Sequence, residues 1–142
     1  MEFLCGAARE IITPPIGTLL YGYRPDLVST SVHDDLTATV VSFSDGTDTM
    51  LLTSVTVGDI DTALDLELRQ KMAAACGVPA ENILLAATHT HSAPNVSGVE
   101  GWGEIDRKYV DTILLPALLK ASTDAVSGMA PAELGTAAGH SS

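Results

Sequence analysis

An apolar segment, residues 82–87, runs directly into two histidines, His89 and His91, and it constrains the fold more than any other part of the chain. Its length and composition predict a strand buried on both faces, as in a parallel sheet. Side chains two residues apart in a strand share a face, so the imidazoles are expected within about 8 Å of each other at the carboxyl end of a central strand. Such a pair is typical of a site where one or both histidines bind zinc or a similar ion. The alternative is that they cap the strand by bonding nearby carbonyls.

Four further segments are predicted strands. Residues 6–12 form a strand that the following prolines end, because proline cannot donate to a ladder. Residues 36–43 and 49–57 are rich in valine, threonine and leucine and flank an Asp-Gly pair at 45–46, a strong hairpin signal. A last short strand is expected over residues 132–138.

Two segments have the apolar spacing of helices. The first is expected to start at Asp61 or Thr62 and to end at Gly77, and the second covers about residues 105–126, with a kink at Pro116. Their core-facing residues are predicted to be Leu64, Leu68, Met72, Ile113 and Ala117. The chain is therefore predicted to be an α/β protein of order β-β-β-α-β-α-β, with both helices packed on a mixed sheet.

Composition narrows the class of protein further. A chain of 142 residues predicts a single domain. The formal net charge of −11 argues against nucleic acid or an anionic membrane surface as a partner held by charge. The absence of a membrane-length apolar run predicts no transmembrane segment, and the lack of a signal-like N-terminus favours a cytoplasmic location. Cys5 and Cys76 are predicted to be buried free thiols and not a disulfide or metal-binding pair.

Two long loops supply candidate substrate-binding residues. The first, residues 16–31, has no periodicity, and connections of that length are often functional. Its residues Tyr21, Gly22, Tyr23 and Arg24 could line a pocket, and Tyr23 and Arg24 are candidates for substrate binding. His33 is a candidate just after this loop. Trp102 is a candidate in the second loop, residues 92–103. The alternatives are that the tyrosines of the first loop cover a sheet edge, that Arg24 forms a surface salt bridge and that His33 is a buried, hydrogen-bonded structural residue.

The most specific motif in the chain is the Thr-His-Thr-His-Ser-Ala-Pro run at residues 88–94. Five shorter motifs precede it in chain order: Ala8-Arg9, Ile12-Thr13-Pro14-Pro15-x-Gly17, Gly22-Tyr23, Val32-His33-Asp34-x-Leu36 and Asp45-Gly46. In this order, and over nearly the whole chain, they resemble the N-terminus of the neutral/alkaline ceramidase family.

This resemblance implies a zinc amidohydrolase whose substrate is a lipid or small-molecule N-acyl amide, ceramide in the best-known members. It assigns the metal to His89, and His91 is then placed to donate to the developing oxyanion or to orient a ligand. It also implies that the remaining zinc ligands, a second histidine, a glutamate and a tyrosine, lie beyond this chain. Asp35 and Ala93 depart from the proline and glycine that the family commonly has there, which bears on the substrate.

Residues 1–142 are therefore predicted to form a single α/β domain, the N-terminal part of a larger enzyme. One or two imidazoles do not complete a catalytic zinc site, so this portion alone is expected to bind zinc weakly and to be inactive. It is also expected to expose apolar surface and to form homo-oligomers.

Two other classes of protein remain open. The first is a metal-free α/β module for oligomerisation or small-molecule binding, in which the histidines are structural. The second is a barrel amidohydrolase, which also carries His-x-His at a strand end. The hairpin that precedes the first helix argues against a barrel.

Overall fold

The chain folds around a mixed β-sheet on which two helical segments pack; a computed structural model describes residues 2–140. Within these residues the sheet has five strands in the order β4-β3-β2-β1-β5. Neighbouring strands are antiparallel except β3 and β4, which are parallel. The strands are β1 (Leu4–Ile11), β2 (Thr37–Ser44), β3 (Thr49–Val55), β4 (Ile83–Ala87) and β5 (Ala130–Pro131). The predicted α/β class and element order are confirmed.

The first helix, α1 (Thr62–Cys76), begins and ends as its sequence predicts. The carboxylate of Asp61 accepts hydrogen bonds from the backbone N–H groups of Ala63 and Leu64, and Gly77 closes the helix in the left-handed conformation. A single turn of 3₁₀ helix, Ala80–Asn82, then leads into β4. This crossover makes β3 and β4 parallel.

The second helical segment begins as α2 (Arg107–Tyr109), widens into a π turn (Val110–Leu114) and continues as α3 (Leu115–Ser127). Pro116 is the second residue of α3, two residues after the last residue of the π turn. Because proline has no N–H and its ring crowds the carbonyl four residues earlier, the regular α pattern cannot continue through this region. The irregularity expected at Pro116 therefore takes the form of a π turn.

Both helical segments cover one face of the sheet. Leu64, Leu68 and Met72 of α1 are buried as predicted, as is Ala117 of α3, whereas Ile113 is only partly buried against the core. The opposite face is open. It carries exposed apolar side chains, among them Met50, Leu52 and Leu84. No helix in the described part of the chain is both long and apolar enough to cross a membrane.

Three predictions about strands are wrong. Strand β4 is not buried on both faces, because no element of the described chain covers the face that carries Leu84, which is 54% exposed. Strand β4 lies at an edge of the described sheet, and not at its centre, because the chain that follows β4 turns into a loop and then a helix on the sheet face. The last strand covers Ala130–Pro131, where it pairs with Leu4 and Cys5, and residues 132–138 are not a strand. Both cysteines are free, as predicted, but they are only partly buried.

Candidate functional site

The sheet positions His89 through its backbone. After β4 ends at Ala87, the N–H groups of Thr88 and His89 still donate to the carbonyls of Val55 and Val57, both at 3.0 Å. At His89 the chain then leaves the extended conformation, with φ of 65°. Histidine is among the residue types that tolerate this left-handed region. The alternation of side chains that predicted a shared sheet face therefore does not extend to the two histidines.

The imidazoles of His89 and His91 nevertheless lie together. Their Nε2 atoms are 3.4 Å apart, and the ring centroids are 5.0 Å apart with the planes inclined at 72°. The expected closeness is present, but its cause differs from the predicted one. The left-handed turn at His89, and not a strand repeat, brings the second ring back to the first.

A backbone carbonyl defines the orientation of the His89 ring. The Nδ1 atom of His89 lies 2.7 Å from the carbonyl oxygen of Gly58, which can only accept, so Nδ1 carries the proton. The lone pair of the neutral ring is then on Nε2, the atom that faces His91. This is the pattern of metal-binding histidines, whose second nitrogen is held by a carbonyl or carboxylate. The Nδ1 contact agrees equally with the alternative in which the histidine caps a carbonyl.

Two tyrosines of the first loop flank the His91 ring. The exposed ring of Tyr23 lies edge-on at a centroid distance of 5.1 Å, and the buried ring of Tyr21 lies at 6.2 Å. Tyr21 also contacts Trp102, at 5.3 Å. Between the two tyrosines, Gly22 has φ of 112°, and a Cβ there would come within 2.3 Å of the His91 ring. Of the predicted substrate-binding residues, Tyr23 contacts His91, and Trp102 reaches the pair through Tyr21.

His33 and Arg24 are not brought into this cluster. The guanidinium of Arg24 pairs with Asp26 at 3.1 Å on the surface, in agreement with its predicted alternative. The His33 side chain is 97% exposed and lies 3.6 Å from Asp34, so it is not a buried structural histidine. His33 lines a neighbouring cleft of about 520 Å³, to which Thr90 and Ser92, on either side of His91 in the chain, also contribute.

Two residues of the site, Gly58 and Asn95, carried no clear signal in the sequence, and the contact that Tyr21, a candidate pocket residue, makes with Gly58 was not predicted. Gly58 supplies the carbonyl for His89, and Tyr21 packs on that glycine. Asn95 is buried, and its side-chain amide donates to the carbonyls of Trp102, Gly103 and Glu104. That amide holds the loop that carries Trp102. An asparagine in a glycine-rich loop is a weak signal for such a role, and the contact between Tyr21 and Gly58 depends on tertiary packing alone.

The side chains near the histidine pair that could coordinate a metal ion are suitable in kind but few in number. Residues 2–140 contain no group of three or more histidine, cysteine, aspartate or glutamate side chains arranged to hold an ion. The free Nε2 of His89 has the chemistry of a zinc ligand, yet catalytic zinc sites normally have three protein ligands. The described residues therefore fit part of such a site.

Comparison with solved structures finds this fold in ceramidases. The neutral ceramidase from Pseudomonas aeruginosa matches with a TM-score of 0.75 and 21% identity. A structure of a ceramidase complexed with C2 matches with a TM-score of 0.70 and 20% identity. Each match covers 92% of this chain but only 22% of the other chain, so the protein spans about a fifth of their length. No family model and no curated protein matches. The predicted resemblance is confirmed for the fold: this chain folds as a portion of neutral ceramidase does.

Proposed function

We propose that this chain is the N-terminal portion of a zinc-dependent amide hydrolase of the neutral ceramidase type, and that residues 1–142 form one domain of it. The observation that carries this proposal is the His89 ring, held at Nδ1 by the Gly58 carbonyl with its free Nε2 toward His91. The match to ceramidase structures supports the same proposal, because the sequence resemblance to the ceramidase family predicts such a histidine pair in this fold.

His89 is proposed to hold the metal through Nε2. A zinc ion bound there would lower the pKa of a water molecule to about 7 and polarise the amide carbonyl. His91 has a different role. Because Nδ1 of His89 is the protonated nitrogen, His91 Nε2–H is the donor of the 3.4 Å contact and the Nε2 lone pair of His89 is its acceptor. A metal bound to that lone pair would replace this contact and leave the His91 N–H free to donate to another acceptor. We propose that this N–H stabilises the oxyanion that develops when the amide carbonyl is attacked.

The substrate is proposed to be a lipid or small-molecule N-acyl amide. Tyr23 and Trp102 offer aromatic surface beside the histidines, which suits an acyl chain. His33, in a cleft to which Thr90 and Ser92 contribute, is proposed to contact the polar part of the substrate. Arg24 could bind a carboxylate or phosphate only after leaving Asp26.

The remaining zinc ligands are proposed to come from outside residues 1–142. A tetrahedral catalytic site needs three protein ligands and a water molecule, and the described residues offer no group of three. The chain alone should therefore bind zinc weakly and hydrolyse no amide.

The test is hydrolysis of ceramide and of N-acyl amino acids by the protein encoded by the complete reading frame. His89→Ala and His91→Ala should each abolish activity or reduce it by orders of magnitude, and a chelator should abolish it in the unsubstituted protein. His140→Ala, which removes an exposed histidine, is the matched control. Full activity in His89→Ala would contradict the proposal.

A metal-free oligomerisation module is the second candidate, because the open sheet face exposes Met50, Leu52 and Leu84. Sedimentation of the 142-residue chain distinguishes the two functions. A tight homo-oligomer that Leu52→Lys dissociates, together with no metal uptake and no hydrolysis by the complete protein, would favour the module.

A further inference from the structure

We propose that Tyr21 is a positioning residue for the histidine pair: its ring fixes the Gly58 carbonyl that selects the tautomer of His89. This inference rests on the proposed function, because the tautomer that leaves the Nε2 lone pair free matters for activity only if His89 binds a metal. The contacts that carry it are properties of the protein without any metal.

Gly58 is confined by the Tyr21 ring. A Cβ added at this glycine would come within 2.1 Å of Cδ1 and 2.5 Å of Cε1 of Tyr21, so the ring lies directly against the glycine backbone. Atoms of a real side chain essentially never approach that closely. The position therefore requires glycine, and the ring leaves the Gly58 peptide little freedom to move away from His89.

Tyr21 is itself held firmly. Its backbone N–H donates to the carbonyl of Ala93 at 2.9 Å, which ties the tyrosine loop to the segment that follows His91. Its side chain is buried, with 8% of the residue exposed, and its ring packs on Trp102. The Tyr21 ring is therefore held in one position by its surroundings.

The same loop also orients the second histidine. Gly22 lies beneath the His91 ring, where a Cβ would come within 2.3 Å of Cγ, and the edge of Tyr21 meets that ring at an interplanar angle of 82°. Adjacent residues of one loop thus act on both histidines. Tyr21 acts on His89 through Gly58, and Gly22 limits the position of His91.

The chemical consequence is a choice of tautomer. A neutral imidazole carries its proton on either nitrogen, and the hydrogen bond at one nitrogen decides which. If the Gly58 carbonyl moves, the Nδ1 proton loses its acceptor and the Nε2–H tautomer gains population. That tautomer has no lone pair at Nε2, so metal affinity falls. Loss of such a supporting partner typically costs about 10- to 100-fold in affinity.

The test is ¹⁵N NMR of the imidazole rings in the metal-free 142-residue chain, at a pH where both histidines are neutral, followed by titration with Co²⁺. The variants are Tyr21→Ala, Tyr21→Phe and Gly58→Ala. Leu118→Ala, which truncates a fully buried residue of α3, is the control for a general loss of stability.

Tyr21→Ala and Gly58→Ala should shift the His89 signals toward the Nε2–H tautomer and weaken Co²⁺ binding by about 10-fold or more. Tyr21→Phe retains the ring and should restore both readouts, and Leu118→Ala should leave the His89 signals unchanged. Unchanged His89 signals in Tyr21→Ala, or an equal shift in Leu118→Ala, would overturn the proposal. If the unsubstituted chain binds no Co²⁺ while the tautomer responds as expected, the positioning role stands, and hydrolysis by the complete protein with and without a chelator decides the metal function.

Discussion

The Nε2 atoms of His89 and His91 lie 3.4 Å apart because the backbone of His89 is in the left-handed region, with φ of 65°. In a continued strand, residues two apart are separated by two strand rises, roughly 6–7 Å. The turn replaces this strand spacing, and the two ring nitrogens lie at contact distance. A non-glycine residue in this conformation stores strain, which proteins commonly retain at functional sites.

This strain predicts an unusual order of stability between two variants. His89→Gly and His89→Ala both remove the imidazole, but only glycine adopts a positive φ without cost. His89→Gly should therefore be the more stable of the two by about 1 kcal/mol, as measured by urea denaturation of the metal-free chain. If His89→Ala is at least as stable as His89→Gly, the backbone at this position is not strained.

The small donor set predicts weak zinc binding by the chain alone. After dialysis, elemental analysis should find much less than one zinc ion per chain, because two imidazoles do not complete a tetrahedral ligand set. Zinc titration followed by calorimetry should give a weak site that His89→Ala removes and His140→Ala preserves. Stoichiometric zinc in the dialysed chain would show that the site is completed within the chain or across a subunit interface.

A buried hydroxyl in β3 predicts a stabilising substitution. Thr53 is fully buried, and its Oγ1 has no hydrogen-bond partner within residues 2–140. An unsatisfied buried polar group costs about 1–3 kcal/mol, and valine has nearly the same shape without the hydroxyl. Thr53→Val should raise the free energy of unfolding by about 1 kcal/mol in urea denaturation. Ser122→Ala is the contrast, because the Ser122 hydroxyl donates to the Leu118 carbonyl and gives no such gain. A clear loss of stability in Thr53→Val would mean that the hydroxyl is satisfied.

An ion pair between the helices predicts acid sensitivity. The guanidinium of Arg107, and next the ammonium group of Lys71, lower the pKa of Glu67 from 4.5 to about 2. A carboxyl group with a lowered folded-state pKa stabilises the fold fully above its unfolded pKa, and this contribution is lost as the pH falls through the folded value. Between about pH 5 and pH 2, Glu67→Gln should therefore lose less stability than the unsubstituted chain.

The matched control for this pH effect is Glu133→Gln, which removes an exposed carboxyl that forms no ion pair in the described part of the chain. Thermal unfolding at several pH values measures both variants. The effect of Glu67→Gln at neutral pH should be small, about 1 kcal/mol or less, because the pair is partly exposed to solvent. Identical pH profiles for Glu67→Gln and the unsubstituted chain would show that the pair does not form.

Local signals in the sequence were sufficient to predict most of the strands and helices. The Asp-Gly pair at 45–46 predicts the hairpin between β2 and β3, and Asp61 and Gly77 mark the ends of α1. These signals act within a few residues through hydrogen bonding and backbone sterics, so they do not depend on the rest of the fold. The apolar residues 83–87 likewise form a strand. Their placement at a sheet edge depends on which other strands are present, which a single segment does not determine.

The candidate site divides in the same way. The sequence by itself identified the two histidines and the loops that carry Tyr23 and Trp102, because rare chemical groups stand out in a strand-to-loop motif. Only the tertiary structure showed that Gly58 holds His89 and that Tyr21 packs on this glycine. It also placed His33 and Arg24 apart from the pair. The physical reason is that residue types and their local spacing can be read directly from the sequence. Contacts between distant segments form only when the sheet, helices and loops pack together.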